Sequence, residues 1–269
     1  MAPPPVVACF HLPPPNKGTA RTYWALLSLM AASLRRAAPD AELHLLTHVE
    51  ARVPDGLPCV RVFRRAAGET IADSFRALML AEALTWAAYV RSEAMRGPTV
   101  LMDVDMLMQR SPFALFDGGF DIGLTYTTEP SLHAFNAGVI LIDPARRDRV
   151  VDFFARLAAT VAAAPADQRE WYGDQVALAR LMGAPDVARW TGVVDQAPDG
   201  VRVRAWPADD WNASHALDPA NKPVFAALPH AGLVHFKGER KGIMLRYATE
   251  VLGIAASEDA DRPGGWRVD

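Results

Sequence analysis

Thr99-Val100-Leu101-Met102-Asp103-Val104-Asp105-Met106-Leu107-Met108-Gln109-Arg110 sets two carboxylates between two apolar runs. A run such as Val100 to Met102 reads as a strand buried on both faces, as in the middle of a largely parallel sheet. Carboxylates there are costly unless they are paired or hold a metal. In an extended chain residues i and i+2 point the same way, so Asp103 and Asp105 are expected to share one side of the strand end. Two carboxylates on one side suit a hard divalent cation. In open α/β sheets, ligands collect beyond the carboxyl ends of the strands, where this pair is expected. The competing reading is a surface turn with two solvated acids, and the tripeptide alone does not separate the two.

At 269 residues the chain can bury a substantial core. Hydrophobic content of 51% and charged content of 22% are ordinary for a soluble globular protein. A net charge of −3 gives no electrostatic case for a nucleic-acid partner. The two cysteines, Cys9 and Cys59, make no disulfide framework, which points to a reducing compartment. The N-terminal MAPPPVVACFHLPPP lacks the basic region and apolar core of a signal peptide. No stretch reaches the roughly eighteen apolar residues of a membrane span. The expectation is a cytoplasmic protein.

From the N-terminus, Val6 to Phe10 reads as a first buried strand, followed by a Pro- and Gly-bearing loop. A helix from Thr19 or Thr22 carries Tyr23, Leu26, Leu27, Met30 and Leu34 at helical spacing. Glu42 to Thr47 reads as a second strand, which makes a βαβ unit and a parallel sheet. A short strand is possible around Cys59 to Phe63. Ile71 to Met95 reads as mostly helical, and Phe120 to Thr125 and Gly138 to Ile142 as strands. Arg149 to Ala163 is an amphipathic helix. Glu170 to Leu181 is a loop entering a helix with Asp174 as its N-cap. Trp206 to Phe225 is turn-rich, Leu233 to Phe236 is a short strand, and Gly242 to Leu252 is helical. The organisation expected is one domain over 1–256 and a polar, frayed tail over 257–269.

Four separated segments, TVLMDVDMLMQRSPFALFD, AFNAGVILID, WYGDQVALARL and LVHFKGERK, appear in the order and rough spacing of the GT-A glycosyltransferases. The set most resembles glycosyltransferase family 8, which carries D-x-D, F-N-[AS]-G, D-Q and H-F-x-G-x-x-K in that order. The match spans roughly residues 70 to 245. The resemblance implies a GT-A α/β fold with a mixed, mainly parallel central sheet flanked by helices. It implies transfer of a hexose from a nucleotide-diphosphate sugar, most simply a UDP-sugar, to a glycan, lipid-linked or small-molecule acceptor, with retention. Asp103, Asp105 and His235 would hold Mn²⁺ or Mg²⁺, and the imidazole favours Mn²⁺. Gly238 and Lys241 would meet the diphosphate. Val104, Asn136, Ala137 and Gly138 would line the nucleotide-sugar pocket, with Arg76 as the family's helical arginine. Asp174 and Gln175 would lie under the sugar as catalytic residues together with Lys241.

The chain departs from the family in three places. Its first strand ends Cys9-Phe10-His11 where the family has an acidic, Asn-bearing loop that reads the base. The common D-Q-D is Asp174-Gln175-Val176, and K-P-W is Lys241-Gly242-Ile243. Trp171 and Tyr172 could stack on an acceptor sugar or pack as ordinary aromatics. His133, His215 and His230 follow no usable pattern. A related retaining family, family 77, also has D-x-D and a D-Q helix. Two rivals of other classes stay open: a catalytically silent nucleotide-sugar binder, and a haloacid-dehalogenase-type phosphatase. The second needs Thr or Val where this chain has Leu107 and sets its motif near the N-terminus.

Overall fold

The computed structural model describes residues 2–13, 17–65, 70–127, 134–170, 172–183, 195–197, 200–259, 261 and 265–268. In chain order these form β1 (Val6–Phe10), α1 (Lys17–Ala37), β2 (Glu42–His48), β3 (Arg61–Arg65), α2 (Ile71–Arg76), α3 (Leu78–Arg91), β4 (Thr99–Met102) and β5 (Met106–Met108). Then come β6 (Ile122–Tyr126), β7 (Phe135–Ile142), α4 (Arg147–Ala162), α5 (Ala166–Glu170), α6 (Gly173–Leu181), β8 (Asp195–Gln196) and β9 (Arg202–Pro207). The remainder is α7 (Ala208–Trp211), β10 (Leu233–His235), α8 (Met244–Glu250), β11 (Ala256–Glu258) and β12 (Trp266–Val268).

Among the described residues the central sheet runs β3-β2-β1-β4-β7-β6-β9-β8. β2 pairs in parallel with β3 and β1, β1 with β4, and β6 with β9. β7 runs against both β4 and β6, and β8 runs against β9. The sheet is therefore mixed and mainly parallel. Side-chain parity splits the core into two layers. Val6, Ala8, Leu101, Ile140 and Ile142 face α3 and α4, whereas Val7, Cys9, Val100, Val139 and Leu141 face α1 and α8. Apolar residues on both parities explain why these strands read as continuous hydrophobic runs.

A buried carboxylate fixes the far half of the sheet. Asp121, 1% exposed, accepts from Nε of Arg146 at 2.7 Å and from the backbone N–H of Arg202 at 2.9 Å. This ties the start of β6 to β9 and to the turn before α4.

Three local expectations are corrected. The helix over Ile71 to Met95 is two helices that break at Ala77, and Thr70 and Asp73 form a capping box on the first of them. Asp103 and Asp105 do not lie on an extended strand. β4 ends at Met102, Asp103 continues its ladder by one bond, and Val104 and Asp105 form a turn, after which β5 leaves the main sheet to pair with β10. The segment expected to fray carries the β11–β12 hairpin, with Ser257 opposite Arg267 and β12 packed on α1. No described helix is long and apolar enough to cross a membrane.

Candidate active site

Two backbone pairings assemble the site at the carboxyl end of β4. The Asp103 N–H donates to Gly138 C=O at 3.1 Å, extending the β4–β7 ladder by one residue. β10 pairs with β5 so that His235 lies opposite Met106, and the Phe236 N–H donates to Asp105 C=O at 2.9 Å. Segments far apart in sequence thus meet around one point. One ligand atom from each of Asp103, Asp105 and His235 lies within 4.8 Å of the others. Nε2 of His235 is 3.3 Å from Asp103 Oδ2 and 3.2 Å from Asp105 Oδ1.

The buried Asn212 orients this imidazole. Its Nδ2 donates to Thr125 Oγ1 at 2.9 Å and to Asn136 Oδ1 at 2.7 Å, which turns its Oδ1 toward Nδ1 of His235 at 2.9 Å. Nδ1 therefore faces the Asn212 oxygen, and Nε2 faces two carboxylate oxygens. Two carboxylates and one imidazole nitrogen converge on a single point, where a bound cation would be shared among them. That donor set, with its imidazole oriented, fits a divalent metal. Gly138 makes room for this convergence. A Cβ there would lie 2.6 Å from Cε1 of His235 and 2.9 Å from Asp103 Oδ2.

Electrostatics separate the two aspartates. Burial and the Asp105 charge raise the Asp103 carboxyl, although His235 opposes them. Asp105 is also penalised by burial, but His235 and Lys241 outweigh this and hold it well below the usual range. Lys241 Nζ lies 2.6 Å from Asp105 Oδ2. Burial lowers the Lys241 ammonium, yet the Asp105 contact outweighs it and the net shift is upward. Lys237 is depressed by burial despite the attraction of Asp103.

Asp174 and Gln175 open α6. The N-cap is Tyr172, in the left-handed region at φ 61, so the expectation for Asp174 is corrected: it lies inside the first turn. Asp174 is 5% exposed and its Oδ1 has no hydrogen-bond partner among the described residues. Burial first, and the charge of Asp103 second, push its carboxyl up to about 7. Gln175 Oε1 faces Nδ2 of Asn136 at 3.4 Å, and Asn136 Oδ1 accepts from the Gly138 N–H at 2.9 Å. Amides thus link the imidazole to Gln175 through Asn212 and Asn136.

A cleft of about 350 Å³ opens beside the aspartates, and Phe10, His11, Leu12 and Tyr23 line it together with Asp103, Val104, Asp105 and Lys241. Phe75, Leu78, Met79 and Glu82 form its helical wall. His11 is 6% exposed and stacks on Tyr23, and its Nε2 has no partner among the described residues. Burial pushes its imidazole down to about 3, so it is neutral.

Two residues named from the sequence fall elsewhere. Arg76 ends α2 with an exposed side chain outside the cleft lining, whereas its neighbour Phe75 lines the cleft. Ala137 points into the core beside Phe135, so only its backbone is near the site. Gly238 has φ +55, and a Cβ there would meet no protein atom within 4 Å, so backbone conformation accounts for the glycine. Exposed Tyr172 stands at the mouth of α6, while Trp171 and His133 lie outside the described residues. Asn212, Glu82 and Lys237 were missed. Asn212 sits in a turn-rich stretch with no spacing rule, and Glu82 looks like any helical acid until the helix is packed.

No protein-family model matches the sequence, and no curated protein matches it. Solved structures do match. A glycosyltransferase involved in glycosylation of the major capsid of PBCV-1 superposes with TM-score 0.53 at 11% identity, over 91% of this chain and 100% of its own. The glycosyltransferase GlyE of Streptococcus pneumoniae TIGR4 gives 0.54 at 12% identity, over 92% of this chain and 60% of GlyE. The bifunctional glycosyltransferase WbbM gives 0.52 at 12% identity, over 93% of this chain and 50% of WbbM. The fold is that of the GT-A glycosyltransferases.

Proposed function

We propose that this protein is a metal-dependent glycosyltransferase that moves a hexose from a nucleotide-diphosphate sugar, most simply a UDP-sugar, to a glycan, lipid-linked or small-molecule acceptor with retention. The observation that carries this reading is the convergence of Asp103, Asp105 and His235 with Lys241 at the end of β4, on a GT-A fold. Asp103, Asp105 and His235 would hold Mn²⁺, or Mg²⁺. When bound, that ion supplies Lewis-acid stabilisation of the departing nucleoside diphosphate.

The chain's own residues do the rest. Lys241 now rests on Asp105. When cation charge satisfies Asp105, the ammonium is free to neutralise the diphosphate as a point charge. Phe10, Leu12 and Tyr23 in the cleft lining would exclude water from the base. Double displacement needs a charged carboxylate behind the anomeric carbon. Asp174 is a poor candidate, since burial leaves it partly protonated near neutrality, and position 176 is valine. The amide of Gln175 carries little charge to share. Front-face substitution follows: the leaving diphosphate oxygen takes the acceptor's proton, and Gln175 Oε1 stabilises positive charge at the anomeric carbon.

The test is thermal unfolding with UDP-, GDP-, ADP- and dTDP-sugars, with and without Mn²⁺. A cognate nucleotide at about a hundredfold over its Kd adds roughly 2.7 kcal/mol, and only when metal is present. No shift with any pair would reject the reading. A silent nucleotide-sugar binder would give the same shift without turnover.

A further inference from the structure

Glu82 is an acid that the reading above leaves without a role. It is 7% exposed in the middle of α3, and a buried carboxylate is costly unless something binds it. Among the described residues no group donates a hydrogen bond to it, and no cation pairs with it. Helical spacing explains where it points: Leu78, Met79 and Glu82 fall on one face of α3 and wall the cleft beside Phe75 of α2, with Glu82 the only charged residue of that wall. The charges of Asp103, Asp174 and Asp105 bear on it, in that order. Glu82 lines the same cleft as Asp103 and Asp105. α3 also packs on α6, the helix that presents Asp174 and Gln175.

We propose that Glu82 is a specificity-determining residue that hydrogen-bonds a hydroxyl of the donor sugar. The inference rests on the nucleotide-sugar reading of the site. Of the parts of a nucleotide sugar, the diphosphate carries negative charge and would be repelled by a fourth acid. The base belongs against apolar and aromatic walls. A polyhydroxylated ring can supply the O–H donors that a buried carboxylate lacks. A carboxyl also accepts or donates according to its protonation, so it serves a hydroxyl in either state.

The test separates sugar from nucleotide. UDP, GDP and dTDP, with UDP-glucose, UDP-galactose, GDP-mannose and dTDP-glucose, are titrated calorimetrically in Mn²⁺ into the parent chain, Glu82→Ala and Glu82→Gln. Free diphosphate affinity should stay within about twofold in both variants. The tightest sugar nucleotide should weaken by about tenfold or more in Glu82→Ala, with part recovered in Glu82→Gln. Unchanged sugar-nucleotide affinity, or equal loss for nucleotide and sugar nucleotide, would overturn the proposal. A parent chain that binds no nucleotide at all would instead remove the glycosyltransferase reading, and the proposal with it. Should Glu82→Ala fail to fold, the near-isosteric Glu82→Gln carries the comparison alone.

Discussion

Asn212 Oδ1 lies 2.9 Å from Nδ1 of His235 and fixes which imidazole nitrogen faces Asp103 and Asp105. Orienting partners of metal-bound histidines typically matter by about ten- to a hundredfold in affinity. Asn212→Ala should weaken Mn²⁺-dependent nucleotide binding by that factor. Calorimetry in Mn²⁺ checks it, and wild-type affinity would show that Asn212 serves folding alone.

Gly138→Ala should be as damaging as loss of a ligand. The added methyl would meet the His235 ring, which Asn212 orients, and an oxygen of Asp103, whose backbone N–H is bonded to Gly138 C=O. Asp105→Ala and His235→Ala should likewise abolish the Mn²⁺-dependent thermal shift while the metal-free unfolding curve stays cooperative. A normal shift in Asp105→Ala would reject the metal assignment.

Gln175→Ala should lower turnover by roughly tenfold to a thousandfold, the scale of removing one polar stabiliser. Asp174→Asn should keep measurable activity and retained stereochemistry, read by NMR of the product anomer. An adduct trapped on Asp174 would establish the double displacement instead.

Asp121→Ala should destabilise the chain by about 3–5 kcal/mol, because it strands Arg146 and Arg202 around a buried site. Denaturant unfolding measures this. A loss below about 1 kcal/mol would show that water takes over the role of the carboxylate.

His11 gives the pH dependence a sign. Its imidazole falls from an ordinary 6.5 to about 3 on folding, so the unfolded chain binds the extra proton between those values. The associated stability is complete above about 6.5 and is lost as pH falls toward 3. His11→Phe should flatten that part of the stability curve, and an unchanged acid limb would refute the assignment.

The strands were legible because burial on both faces writes long apolar runs, as at Val6–Phe10 and Thr99–Met102. The Asp103–Asp105–His235 cluster was legible only as a set of motifs, since one-dimensional spacing does not reveal that β10 pairs with β5. The extended D-x-D was misjudged because apolar residues on both sides of Asp103 hide a change of sheet. Asn212 and Glu82 gain meaning only from packing: one from the amides it meets, the other from the helix face that turns to the cleft. Arg76 is the reverse case, since a helical position does not reveal in sequence that its side chain is exposed outside the cleft lining.

The β5–β10 pairing also has a temporal meaning. Ribosomes deliver Asp103 and Asp105 long before His235, so an emerging chain carries two close carboxylates with neither imidazole nor Lys241 beside them. Until β10 docks, those acids repel one another at the end of a hydrophobic strand. Docking of β10 therefore relieves a charge conflict, and the Asp103–Asp105–His235 cluster is complete only once that pairing forms. Mn²⁺ uptake, followed in time during refolding, would report the β5–β10 pairing.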